Sequence, residues 1–182
     1  ADFFHHSVSY FIHNALLNHD FRRFKIVLFS NVQRCDEKTA RFRELVHEWH
    51  DISGMASPDV CELVQDIGVD ILVDLTGHTS ANRLDLFVRK PAPVQVTWIG
   101  YPNTTGLPTM DYRLTDSIAD PPAITKPEHY AEELVRIEPC FLCYNPDTPA
   151  FWDIYRHPCG PDLVRQRREK DLHMESPPVG LP

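Results

Sequence analysis

Two short loops carry the residue types best suited to binding a ligand. The stretches 76–82 and 100–106 each follow an apolar run and are rich in Gly, Thr and Asn. Such backbones and short side chains can approach a ligand closely and hydrogen-bond it. An equally good interpretation is that Gly100, Pro102 and Gly106 only build turns. Composition alone leaves both interpretations open.

Histidine is the second candidate for chemistry. His5 and His6 precede a predicted helix start near Ser7, and an imidazole that is neutral near pH 7 suits a general base. In a chain with ten histidines, a surface or capping role is the commoner outcome. His78, which follows Gly77 at a strand end, is the better isolated candidate.

Other charged residues allow a structural or a functional interpretation. Asp111 and Asp116 flank a predicted strand, where carboxylates usually act as caps or ion-pair partners. Arg83 and Arg89 are either helix-surface charges or anchors for a carboxylate or phosphate. Neither G-x-G-x-x-G nor G-x-x-x-x-G-K-[ST] occurs, and "GYPNTTG" lacks the lysine, so no phosphate-binding loop is predicted.

The cysteines allow a metal site but favour plain thiols. Cys140 and Cys143 form C-x-x-C, and His157 and Cys159 follow, yet the second pair has the wrong spacing for the usual zinc patterns. Five cysteines without framework spacing indicate reduced thiols and an intracellular compartment. We therefore expect no metal.

Composition excludes two classes of partner. The net charge of −8 argues against a nucleic-acid surface, because phosphate binding needs a basic stripe. No apolar run approaches the roughly 18 residues of a membrane span and the sequence shows no basic-then-apolar leader, so we expect neither a membrane span nor a secretory signal.

The elements that must position these residues alternate between helix and strand. Ser57 is predicted to be the N-cap of a helix and Pro58 its first residue, Gly68 predicts its end, and 69–75 is predicted to be a buried strand. The apolar face of that helix consists of Val60, Leu63, Val64 and Ile67.

The same alternation extends along the chain. Further helices are predicted through Val8–Ala15, from Asp36 to Trp49 with Phe42, Leu45 and Val46 on one face, and through Leu84, Phe87 and Val88; further strands are predicted at 24–29, 94–99, 111–116 and 133–137. This order predicts an α/β fold: a Rossmann-like parallel sheet with helices on both faces. Ligands bind such sheets beyond the carboxyl ends of the strands, where both loops lie.

Three stretches of the chain resemble one protein family. "HSVSYFI", "ILVDLTGHTSANRL" and "RKPAPVQVTWIGYPNTTGLPTMDYRLTDSIADPP" are similar to the SPINDLY proteins and their relatives, the O-GlcNAc transferases. The SPINDLY branch is favoured because the other branch has a Gly-Thr-Ser-Gly loop where this chain has Asn103-Thr104-Thr105-Gly106.

The resemblance implies a domain organisation. The family has two Rossmann-like lobes of the GT-B type behind helical tetratricopeptide repeats. Residues 1–144 resemble the amino-terminal lobe of the catalytic region, in an incomplete form that lacks the family's first strand. Residues 145–182 depart from the family pattern and, being rich in proline and charge, are expected to form a poorly ordered tail.

The resemblance also implies a chemistry and its residues. His6 matches a histidine proposed to act near the acceptor hydroxyl, and is the expected catalytic residue. The residues that match loops lining the sugar and acceptor pocket are Gly77, His78, Thr79, Gly100, Tyr101, Pro102 and Gly106. The implied reaction is inverting, metal-independent transfer of a sugar to Ser or Thr hydroxyls of intracellular proteins.

Donor, location and partners follow from the same resemblance. The co-substrate is GDP-fucose or UDP-GlcNAc, held mainly by a second lobe that this chain lacks, and no other cofactor is expected. The expected location is cytoplasm and nucleus, the expected partners are acceptor proteins, and the chain alone is expected to be inactive. The alternative is a non-catalytic product that keeps the lobe fold and binds a partner.

Overall fold

Helices and parallel strands alternate through residues 2–144, the part of the chain that the computed structural model describes. The helices are α1 (Ser9–Leu17), α2 (Glu37–Leu45), α3 (Ser57–Ile67) and α4 (Leu84–Val88), with one 3₁₀ turn at Pro127–His129. The strands are β1 (Val27–Ser30), β2 (Glu48–Asp51), β3 (Ile71–Asp74), β4 (Val94–Thr97), β5 (Tyr112–Thr115) and β6 (Glu133–Arg136).

All strand pairs in the described residues are parallel. β1 pairs with β2, and the other four strands form a sheet in the order β3-β4-β5-β6. Parallel neighbours require crossover connections, which α2 and α4 supply between β1 and β2 and between β3 and β4. The predicted α/β fold with a Rossmann-like parallel sheet is confirmed.

Two apolar cores lie on opposite sides of β1. Leu28 belongs to the core that contains α1 and α2, whereas its neighbour Phe29 packs against the core that contains α3 and α4. Because successive side chains of a strand point to opposite faces, helices cover both faces of β1. Phe42 of α2 is fully buried in the first of these cores, which stabilises the fold by about 2–3 kcal/mol.

The helix at 57–67 has the predicted length but a different cap. Ala56, not Ser57, is the N-cap residue, and the Ser57 hydroxyl instead donates to the carboxylate of Asp85 on α4. Gly68 ends the helix at φ +73°, as its position predicted. Ser57 was therefore wrongly assigned as the cap, since a tertiary partner takes its hydroxyl.

The predicted helix from Asp36 to Trp49 is too long. α2 ends at Leu45, Val46 is already extended, and 48–51 forms strand β2 beside β1. Trp49 still packs against the α1–α2 core, but it reaches that core from the strand. Apolar residues three and four apart fitted a helix, and pairing with β1 decided otherwise.

The other predicted elements are confirmed within a few residues at their ends. The strand predicted at 24–29 lies at 27–30, and those predicted at 69–75, 94–99, 111–116 and 133–137 are β3 to β6. No helix within residues 2–144 is long and apolar enough to cross a membrane. The expectation for residues 145–182 lies outside the described part of the chain.

Candidate active site

A cavity of about 310 Å³ opens beside the carboxyl ends of β3 and β4. Three segments form its wall: the stretch that leads into α1, the loop after β3 and the loop after β4. Its lining residues are Asp2, His6, Ser7, Val8, Phe11, Thr79, Ser80, Ile99 and Gly100. The cavity lies where an open parallel sheet is expected to bind ligands.

The His6 imidazole reaches this cavity from the turn before α1. The side chain is 39% exposed, and its Nδ1 atom lies 3.7 Å from a carboxylate oxygen of Asp2. The backbone N–H of Val8 donates to the same Nδ1 atom at 3.3 Å. Nδ1 thus has one neighbour that requires its lone pair and another that favours a proton there.

Asp2 joins this segment to the loop after β3. Its side chain is almost completely buried, and its second carboxylate oxygen accepts a hydrogen bond from the Thr76 hydroxyl at 3.4 Å. The sequence interpretation missed Asp2, although its spacing of four residues from His6 was a usable signal.

Asp74 shapes the loop after β3. Its carboxylate accepts hydrogen bonds from the backbone N–H of Thr76 at 3.1 Å and of Gly77 at 2.9 Å, and from the Thr97 hydroxyl at 2.8 Å. Burial raises the pKa of Asp74, while these three hydrogen bonds act in the opposite direction. Asp74 was also missed, although an acidic residue that ends a buried strand is a recognisable signal.

Two glycines let the loops after β3 and β4 pack against each other. A Cβ atom on Gly77 would lie 2.2 Å from Cβ of Tyr101, and one on Gly100 would lie 2.1 Å from the carbonyl oxygen of Leu75. Gly77 also has φ +55°, a conformation that favours glycine. The packing of the two loops therefore requires glycine at both positions, whether or not a ligand binds.

The loop after β4 uses several of its own backbone donors. The N–H groups of Thr104, Thr105 and Gly106 donate to Asn103 Oδ1, Glu132 Oε1 and Thr104 Oγ1, at 2.8, 2.7 and 3.0 Å. These three amides are not available to a ligand. The expected role of the loop as a source of backbone donors does not hold at these positions.

His78 joins the two loops. Its Nε2 atom lies 2.8 Å from the carbonyl oxygen of Thr105, and its ring makes an edge contact with Tyr101 at 5.2 Å between centroids. Because a carbonyl oxygen can only accept, Nε2 carries the proton in this arrangement. His78 thus acts first as a link between loops.

The predicted site residues therefore separate into three groups. His6, Thr79 and Gly100 line the cavity together. Gly77, His78 and Tyr101 do not line it and make the contacts between the two loops. Pro102 and Gly106 are exposed and do not belong to the lining. The assignment of a catalytic or sugar-binding role to these residues stays a prediction.

Three other charged candidates have structural roles. Asp111 pairs with Lys90, and this partner first of all lowers the pKa of its carboxyl. Asp116 accepts hydrogen bonds from three backbone N–H groups, including that of Phe141 at 3.0 Å. Arg83 donates to backbone carbonyls in the loop before α3. None of these three lines the cavity.

The zinc hypothesis finds no support in the described residues. Within residues 2–144 no group of three or more His, Cys, Asp or Glu side chains could hold a metal ion. Cys143 instead accepts a hydrogen bond from Asn14 at 2.9 Å, and Cys140 is exposed. His157 and Cys159 lie outside the described residues.

Residues 1–151 match the protein family described as glycosyl transferase family 41. The chain belongs to this family. The family match covers the segments that form the cavity and ends just past the described residues.

Relatives in the family agree with this assignment. An Arabidopsis thaliana protein named as a probable UDP-N-acetylglucosamine–peptide N-acetylglucosaminyltransferase SPINDLY is 53% identical over 153 residues, which are 82% of this chain and 16% of that protein. The Oryza sativa protein of the same name matches equally well. The second Arabidopsis relative, named SEC, is 28% identical over 145 residues. The chain thus spans about a sixth of the length of the SPINDLY relatives.

A solved structure in the same family has the same fold. The Thermobaculum terrenum O-GlcNAc transferase, solved as a K341M mutant, is 41% identical and superposes with a TM-score of 0.74. The match covers 79% of this chain and 27% of that one. The resemblance inferred from the three sequence stretches is confirmed.

Proposed function

We propose that this chain forms the acceptor side of the active site of a protein O-glycosyltransferase, with His6 as the general base. One observation carries the proposal: the His6 imidazole is partly exposed in a cavity at the carboxyl ends of β3 and β4, with the Asp2 carboxylate beside its Nδ1 atom. An alcohol is a poor nucleophile unless a base accepts its proton, and this arrangement supplies one.

The chemical step is a single displacement. The oxygen of a Ser or Thr hydroxyl forms a bond to the anomeric carbon of the donor sugar while the bond from that carbon to the diphosphate breaks. The proton of the hydroxyl moves to Nε2 of His6, and the nucleoside diphosphate leaves with the electron pair of the broken bond. Because the hydroxyl attacks from the side opposite the diphosphate, the anomeric configuration is inverted. Nε2 can accept this proton only when Nδ1 carries the other one, so the step uses the tautomer in which Nδ1–H faces the Asp2 carboxylate, in place of the one in which Nδ1 accepts from the Val8 N–H.

The donor is GDP-fucose or UDP-GlcNAc. The names of the SPINDLY relatives support UDP-GlcNAc, and the resemblance of the 103–106 loop to the SPINDLY branch is the reason to test GDP-fucose as well. None of the described cavity-lining residues is Lys or Arg. Since the family resemblance assigns the diphosphate to a second lobe, we propose that this chain alone turns over no donor.

We further propose that the reaction needs no metal or other cofactor and takes place in the cytoplasm and nucleus. The cysteine pattern and the family resemblance support this location. The acceptors of the proposed reaction are then intracellular proteins, and the word peptide in the relatives' names supports a protein acceptor.

The test is a chimera that joins residues 1–144 to the remaining catalytic lobe of the Arabidopsis SPINDLY relative. Its activity on an acceptor peptide is measured with each donor by mass spectrometry. His6→Asn is expected to lower kcat by about 10²- to 10⁴-fold, the usual contribution of general-base catalysis, with little change in KM.

His5→Asn is the matched control, because His5 is exposed and its ring contacts Glu37 at the surface. This neighbouring variant is expected to retain full activity. An unchanged kcat in His6→Asn, with the chimera active, would remove His6 from the mechanism.

The alternative function is a non-catalytic partner-binding product. It is favoured by apolar side chains of β3 that remain in contact with solvent: Ile71 is 55% and Val73 is 42% exposed. Parallel sheets are usually covered on both faces. Recovery of one defined partner by an affinity pull-down, which Ile71→Asp abolishes, would favour this function over the enzyme.

A further inference from the structure

Glu132 is a buried acidic residue outside both predicted loops. It lies immediately before β6 and is only 5% exposed, yet its carboxylate reaches the loop after β4. It accepts hydrogen bonds from the Thr104 hydroxyl at 2.7 Å, from the Thr105 backbone N–H at 2.7 Å, and from the Thr105 hydroxyl. Three donors of one loop therefore converge on this carboxylate.

The surroundings require a group with two acceptor oxygens. The Thr104 hydroxyl oxygen already accepts from the backbone N–H groups of Gly106 at 3.0 Å and Ala131 at 3.1 Å. The hydroxyl group of Thr104 must therefore act as the donor, and the Glu132 carboxylate accepts its hydrogen bond. An amide in place of the carboxylate would point a donor at one of these donors.

The same loop residue reaches His78. Thr105 gives its N–H and hydroxyl to Glu132, while its carbonyl oxygen accepts from Nε2 of His78. Only the backbone of Thr105 thus separates the Glu132 carboxylate from the His78 ring. A displacement of the carboxylate therefore moves both the loop after β4 and its contact with the loop after β3.

We propose that Glu132 is a positioning residue: it holds Thr104 and Thr105 and, through the Thr105 carbonyl, fixes His78 and joins the loop after β3 to the loop after β4. The proposal rests on the proposed function insofar as these loops support the wall that carries Thr79 and Gly100. The contact between the two loops can be measured without donor or acceptor. This proposal can therefore be refuted while the proposed function holds, and the proposed function can be refuted while this proposal holds.

The test compares the whole chain with its Glu132→Gln variant by NMR. Amide hydrogen exchange of Thr105 is expected to become about tenfold faster or more, because Gln has one acceptor oxygen in place of two, so a donor of Thr104 or Thr105 loses its buried partner and this part of the loop opens more often. The ring signals of His78 are expected to shift. The amides of β4 and the ring of His50, which contacts Glu48 and Phe29, serve as internal references and are expected to stay unchanged.

Glu133→Gln is the matched control, since this neighbouring side chain is exposed on β6. It is expected to leave both Thr105 exchange and the His78 signals as they are. The same absence of effect in Glu132→Gln would overturn the proposal.

A second pair of variants decides the case in which Glu132→Gln loosens the whole fold and β4 amides also exchange faster. Thr104→Val removes the hydroxyl that Glu132 holds, whereas Thr104→Ser retains it. Faster Thr105 exchange and shifted His78 signals in the valine variant only support the proposal. Equal behaviour of the two variants contradicts it.

Discussion

Gly100→Ala tests the close approach of the two loops. A methyl group at this position would lie 2.1 Å from the carbonyl oxygen of Leu75, 2.8 Å from its carbonyl carbon and 2.9 Å from Cα of Thr76. All three atoms belong to the backbone, so no side chain can rotate away to relieve the contact. The φ of Gly100 is not in the left-handed region, so the substitution adds contact and no dihedral strain.

Three further alanine substitutions separate contact from dihedral strain. Gly54 has open space around it and no positive φ, so Gly54→Ala adds neither a close contact nor dihedral strain and serves as the reference. Gly106 has φ +71° and open space, so it measures strain alone. Gly77 has φ +55° and a contact of 2.2 Å with Tyr101, so it combines both effects.

The expected magnitudes follow from these differences. Gly54→Ala should stabilise the fold by about 0.4–1 kcal/mol through the unfolded chain. Gly106→Ala should cost about 1 kcal/mol, since left-handed strain of about 1–2 kcal/mol is partly offset by that gain. Gly100→Ala should cost about 3 kcal/mol, the upper part of the range for overpacking, and Gly77→Ala about 4 kcal/mol.

The assay is urea unfolding followed by tryptophan fluorescence and circular dichroism, with the free energy of unfolding extrapolated to water. For a chain of this length, 3 kcal/mol lowers the Tm by about 6–12 °C. If Gly100→Ala and Gly54→Ala unfold within about 0.5 kcal/mol of each other, the loops do not pack as described. The description of the cavity wall as two loops in close contact would then be wrong as well.

Two further predictions concern buried or capping carboxylates. Asp120 pairs with the buried Arg113; burial alone would raise the pKa of its carboxyl from 3.8, but hydrogen bonds from Thr115 and Tyr130 and the pairing with Arg113 together lower it. The contribution of the Asp120 carboxylate to the free energy of unfolding is thus present above about pH 4 and lost as the pH falls through its pKa in the folded state. Asp120→Asn should therefore cost about 3–5 kcal/mol at pH 7 and make the free energy of unfolding less dependent on pH on the acid side. A variant whose stability falls with acid as steeply as that of the parent chain would contradict this. Asp36 caps α2 by accepting a hydrogen bond from the Thr39 N–H at 2.9 Å, so Asp36→Ala should lower the free energy of unfolding in urea by about 1 kcal/mol. Glu37→Ala changes an exposed residue next to it and should cost less than about 0.5 kcal/mol. Equal costs for the two variants would refute the capping role of Asp36.

Much of the fold was predictable from local pattern. The face formed by Val60, Leu63, Val64 and Ile67, followed by Gly68, predicted α3 because helix periodicity and a left-handed terminus are local properties. Strand β2 was not predictable in this way. Its residues continue an apolar spacing that suits a helix, and only hydrogen bonds to β1, more than fifteen residues earlier, select the extended form.

The candidate site divides along the same line. Sequence alone determined the family, the alternation of strand and helix, and the two polar loops at strand ends, because each is written in contiguous residues. Only the tertiary structure decided that Asp2 lies beside His6 at the cavity, that Glu132 occupies three donors of the 103–106 loop, and that Gly77 and Gly100 are needed for two loops to touch. The reason is physical: hydrogen-bond partners and close contacts join residues distant in the chain, and no local pattern encodes which of them will meet.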